Sequence, residues 1–85
     1  MYTLAMAKND YKESWITGFS LLRIYTNENG GEERLGWIIE VWKDTPEGTK
    51  RQICTARRET RIFKTLDAAV QAVEEIGFSA DYLTV

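Results

Sequence analysis

Three stretches of the chain have the composition of strands, and a later one switches to a helical period. FSLLRIYT, residues 19–26, is rich in branched and aromatic side chains, as a strand requires. NENGGEE follows, with Gly30-Gly31 as a turn centre able to take positive φ. LGWIIEVWK reads as a second strand and DTPEGT as a second turn, with Pro46 suited to its second position and Gly48 to its fourth. KRQICTAR is the third strand. A two-residue Gly30-Gly31 loop pairs Asn29 with Glu32, and a four-residue loop over 45–48 pairs Asp44 with Thr49. Both registers predict the same apolar face: Leu22, Ile24, Trp37, Ile39, Val41, Cys54 and Ala56. The opposite face then collects Leu21, Arg23, Tyr25, Ile38, Glu40, Trp42, Arg51, Ile53, Thr55 and Arg57.

RETRIFKT predicts a turn, with a short extension or a fourth strand, before a helix that opens at Thr65. Thr65 suits the N-cap, Asp67 the first turn and Gly77 the position just past the end. Leu66, Ala69, Val70, Val73 and Gly77 form its expected apolar stripe, and Phe78 is placed to pack on Val73. Small Cys54 and Ala56 would let this helix approach the sheet. The expected fold is therefore α+β: a three-stranded, or four-stranded, antiparallel meander with one C-terminal helix on one face. Residues 1–85 make one small domain, residues 1–14 being a loose arm, a strand or a short helix, and the tail SADYLTV a short strand or a core-facing segment.

Composition removes most enzymatic chemistry. The chain has no histidine and one cysteine, Cys54, which excludes the commonest general base and an internal disulfide framework and suits a reducing cytosol. No serine elbow, phosphate-cradling glycine loop or paired-cysteine motif occurs, and the Glu32-Glu33 and Glu74-Glu75 pairs are adjacent residues that diverge. The expectation is a non-enzymatic protein without cofactor or metal. No apolar run reaches the roughly 18 to 20 residues of a membrane span, and MYTLAMAKND lacks the basic leader of a signal peptide, so a cytoplasmic chain with no membrane role is expected.

Charge changes the picture. Net charge is -2, yet residues 49–64 hold six of the eleven basic side chains against the single carboxylate of Glu59. A basic band in an acidic chain points to a nucleic acid, whose phosphates need spaced cations and whose bases need flat side chains. The candidate binding residues are Arg23, Tyr25, Trp42, Lys50, Arg51, Arg57, Arg58, Arg61 and Lys64. Alternatively, the aromatic sheet face or the acidic helix docks a protein partner, as a regulator or inhibitor would, and a homodimer packed sheet to sheet is compatible with either reading.

GWIIEVW, KRQICTAR and RIFKTLDAAVQAVEEIG together resemble the sheet-plus-helix DNA-binding modules of AP2 domains and of the arm-binding ends of tyrosine-type integrases. Phe63, Thr65, Ala68 and Ala69 carry the likeness, over about residues 36–77. The resemblance implies a sheet face in the major groove, with Arg51, Arg57, Trp42 and Arg23 toward DNA.

Overall fold

The computed structural model describes residues 2–26, 33–43, 45 and 48–79. The predicted turn positions Gly30, Gly31 and Pro46 and the tail beyond Ser79 lie outside the described residues. Helix α1 (Leu4–Lys12) is followed by strands β1 (Gly18–Thr26), β2 (Glu33–Trp42) and β3 (Arg51–Gln52), then by helix α2 (Leu66–Ile76). The three strands form one antiparallel sheet in the order β1-β2-β3. The predicted α+β meander is present, with a second helix where an arm, a strand or a helix was expected. Thr3 caps α1, its Oγ1 accepting the Met6 N–H at 3.3 Å. Ala7 is the helix's buried residue, with Leu4 packed beside it, and so thin a stripe gives little periodicity to read.

The strand registers differ from the predicted ones by one residue on both sides of β2. Leu21 pairs with Ile39 and Leu22 with Ile38, whereas the prediction set Leu22 opposite Ile39. On the other side Glu40 pairs with Gln52, and the Ile53 N–H donates to the Ile39 carbonyl at 3.0 Å, which puts Ile53 rather than Cys54 beside Ile39. A one-residue slip turns every side chain of a strand to the other face. The core face therefore carries Phe19 and Leu21 from β1, Trp37, Ile39 and Val41 from β2, and Ile53. The gain is physical: Ile53 buries far more apolar surface than Cys54 could, and Ala56 stands exposed on a turn.

The shifted register of β1 goes with a bulge. An irregularity between Ile24 and Tyr25 leaves Leu35 without a partner in the ladder, and beyond it Tyr25 pairs with Arg34 and Thr26 with Glu33. Gly36 sits at this bulge with φ +148, a region that favours glycine, and a Cβ there would run into the Phe63 carbonyl oxygen. At the second turn the Gly48 N–H closes on the Thr45 carbonyl at 2.9 Å, as predicted, but Val41 is opposite Arg51.

Helix α2 has the predicted ends. Thr65 Oγ1 accepts the Ala68 N–H at 3.1 Å, and Gly77 and Phe78 donate back to Glu74 and Val73, closing a Schellman turn. Its buried stripe is Ala69, Ala72, Val73 and Ile76; Leu66, expected inside, is exposed. The helix thus brings Val73 and Ile76 as well as two alanines to the core, and Cys54 and Ala56 do not form the small-residue patch expected beneath it. Helix α2 packs on the sheet and α1 packs on α2, and both join the cluster built on Ile39, Val41 and Ile53. Phe78 seals one end, its ring 4.6 Å from Tyr11 and 5.0 Å from Phe19.

Candidate nucleic-acid interface

The third strand is interrupted. After Ile53 the chain leaves the sheet, turns, and returns so that Phe63 exchanges both backbone bonds with Trp37, at 2.7 and 2.8 Å. The detour is a small hairpin in its own right. Cys54 bridges Thr60, the Thr55 N–H donates to the Glu59 carbonyl at 2.7 Å, and the Arg61 N–H donates to the Ile53 carbonyl at 2.9 Å. Its loop is Ala56-Arg57-Arg58, closed by the Arg58 N–H on the Thr55 carbonyl at 3.0 Å and by the Arg57 N–H on Thr55 Oγ1 at 3.2 Å. Arg58 holds φ +65, the left-handed third position of a three-residue hairpin loop, where glycine or asparagine is the usual occupant. Two arginines thus stand exposed at the tip of a braced hairpin.

The nine candidate residues do not share one face. Trp42 and Lys50 lie together on the helix-free side, with the Lys50 ammonium 5.6 Å from the Trp42 ring and 4.0 Å from a Glu40 oxygen. Arg51, opposite Val41, is on the helix side instead, its guanidinium 5.4 Å from the Tyr2 ring. Arg23 is also on the helix side, 5.0 Å from the Trp37 ring, and Tyr25 follows it two residues along the strand. Arg57 and Arg58 occupy the hairpin tip, Arg61 covers the Phe63 ring at 4.8 Å, and Lys64 is exposed just before α2. Six of the nine, Lys50, Arg51, Arg57, Arg58, Arg61 and Lys64, belong to the outer edge made by β3, the hairpin and the return segment. The cations line an edge rather than a face. From Arg51 to Phe63 that edge runs opposite Val41 to Trp37, about 13 Å at the usual rise of a strand.

The helix-free side differs from the basic surface that the resemblance implies. Its centre is Ile38, 8% exposed, ringed by Leu22 at 39%, Ile62 at 45% and the partly covered Ile24 and Trp42. Its charged side chains among the described residues are Glu40 and Lys50, already paired.

Sequence reasoning missed Trp15. Its indole is 63% exposed, the most open large hydrophobic side chain among the described residues. Ser14 at φ 61 turns the chain out of α1, and the Trp15 N–H donates to the Asp10 carbonyl at 2.8 Å, so the ring projects from ordered backbone. Trp15 borders a cavity of about 350 Å³ that Asp10, Ile16, Lys43, Thr49 and Arg51 also line. The Lys43 ammonium sits 5.2 Å from the indole. Asp10 is held in turn by the buried Tyr2, whose hydroxyl donates to Asp10 Oδ2 at 2.8 Å; burial first, and this bond second, push its phenol well above the usual tyrosine range. An exposed tryptophan beside a charged helix end carries no pattern that a sequence could reveal.

Among the described residues no group of acidic, cysteine or histidine side chains could hold a metal ion, and no helix is long and apolar enough to cross a membrane. Comparison with protein-family models, with curated proteins and with solved structures finds no match.

Proposed function

We propose that the protein binds nucleic acid along its β3 edge, with the Arg57-Arg58 hairpin as the leading contact. One observation carries this reading: six cations follow one sheet edge, and of the ion pairs among the described residues only Lys50–Glu40 involves any of them. Charge of this kind is what phosphates recruit, and its contribution is nonspecific and salt-dependent. Arg58 adds support, because a left-handed backbone at a non-glycine residue costs stability and such positions cluster where function retains them. Lysine and arginine also blunt an exposed strand edge against aggregation, and that role alone would be indifferent to any ligand.

Fluorescence anisotropy with labelled oligonucleotides separates the two roles. With about four phosphate contacts, raising salt from about 50 to about 200 mM weakens binding about 50-fold for a single strand and about 150-fold for a duplex. The double variant Arg57→Glu, Arg58→Glu abolishes binding and leaves the circular dichroism spectrum unchanged. Absence of binding at the lower salt, or equal binding by the variant, refutes the proposal.

A second reading rests on the helix-free face. Leu22, Ile24, Ile38, Ile62 and Trp42 make an apolar surface with no net charge, suited to a second copy of the chain turned face to face rather than to a charged partner. Sedimentation that depends on concentration, and becomes monomeric on Leu22→Asp, supports this dimer. A monomer at every concentration tested removes it.

A further inference from the structure

The Trp15 cavity lies at the Arg51 end of the basic edge. Its chemistry is unlike that edge: a flat, open indole, the buried apolar Ile16, the cations Lys43 and Arg51, the Asp10 carboxylate and Thr49 line it together. A duplex offers an edge only phosphates and groove walls, whereas a single strand also offers unstacked bases. We infer that this cavity receives one base of a single-stranded nucleic acid, stacked on Trp15, while Lys43 and Arg51 meet the flanking phosphates. The inference rests on the edge-binding reading above and names the nucleic acid that the edge prefers.

Each lining group has a task. Trp15 supplies the π-face, already held outward by the Ser14 turn and the bond to Asp10. Lys43, 5.2 Å from the indole, and Arg51, 5.4 Å from the Tyr2 ring, are stacked cations whose charge is left for an anion. Neither is in an ion pair among the described residues. Asp10 is anchored by the Tyr2 hydroxyl, and its carboxylate retains acceptor capacity for the exocyclic amine of cytosine, adenine or guanine. The volume of about 350 Å³ falls at the small end of the range for ligand cavities, enough for one base and not for a stack.

The test compares a twelve-residue single-stranded DNA of mixed sequence with the same DNA as a duplex, at about 50 mM salt, by anisotropy and by intrinsic tryptophan fluorescence. Single strand should bind more tightly and quench fluorescence that is missing from Trp15→Phe. Trp15→Ala should weaken single-strand binding about 5- to 150-fold, the range for loss of one base–aromatic stack, and leave duplex binding unchanged. Trp15→Phe should restore most of the affinity. Equal binding of both forms, with Trp15→Ala without effect, overturns this inference and leaves the edge reading standing. Failure of both forms to bind overturns the two together.

Discussion

Truncating Ile53 to alanine distinguishes the observed register from its neighbour. Ile53 is fully buried between β2 and the return segment, whereas Cys54 is only partly covered. Removing three buried carbons forfeits about 2.4 kcal/mol of transfer free energy at about 0.8 per carbon, and the cavity left behind brings the loss to about 3 or 4 kcal/mol. A chain of 85 residues has about 4 to 13 kcal/mol of stability in total, so the variant is weakened by a quarter or more. Cys54→Ala, by contrast, costs less than about 1 kcal/mol. Urea denaturation followed by circular dichroism reads both. With an m-value of about 1 kcal/mol/M, the Ile53→Ala midpoint falls by about 3 M and that of Cys54→Ala by less than about 1 M. The reverse order would put Cys54 beside Ile39 and Arg51 next to Trp42. It would rebuild the basic sheet face and remove Arg51 from the Trp15 cavity.

Three other outcomes follow from particular residues. Gly36→Ala should destabilise by about 2 kcal/mol or more, since positive φ alone costs about 1 to 3, and amide exchange at Trp37 and Phe63 should accelerate; a neutral result refutes the close approach. Arg58→Gly should stabilise the fold by about 1 kcal/mol while weakening nucleic-acid binding, an opposition that a denaturation curve and an anisotropy titration expose together. Tyr2 remains protonated in the native protein where an ordinary tyrosine, at about pH 10, has ionised. Its raised pKa contributes stability that is complete below about pH 10 and is lost as pH climbs toward the folded value, because the unfolded state then binds fewer protons. Tyr2→Phe should flatten that alkaline decline, and absorbance at the phenolate band should show one tyrosine more titrating near pH 10 in the unfolded wild-type chain than in the native one, a difference that Tyr2→Phe removes.

Much of the architecture was legible because its signals are local. Thr65 and Gly77 bound α2 through hydrogen bonds to residues three or four positions away, and β2 alternates around Trp37, Ile39 and Val41. The outer strands carry adjacent apolar residues that fit either parity: Leu21 and Leu22 in one, Ile53 and Cys54 in the other. Their choice is made by a bulge at Leu35-Gly36 and by the volume of Ile53, which are tertiary facts. The slip in turn redistributed the candidate site. Arg51 and Arg23 moved to the helix side, while Arg57, expected on the open sheet face, left the sheet to join Arg58 in a hairpin closed by its own short-range bonds. Trp15 depends on the meeting of a helix end and a distant turn, beyond the reach of periodicity.

The hairpin inserted in the third strand separates two duties that small domains usually entangle. Since Ile53 hands the sheet over to Phe63 across the base of the insertion, residues between the Cys54–Thr60 bridge can be lengthened, shortened or recharged without disturbing strand order or core. Related chains could then share one scaffold while presenting different tips to different targets, and a laboratory could graft foreign loops at the same site. Variation among natural or engineered versions should concentrate between residues 55 and 59, and stop abruptly at the bridge.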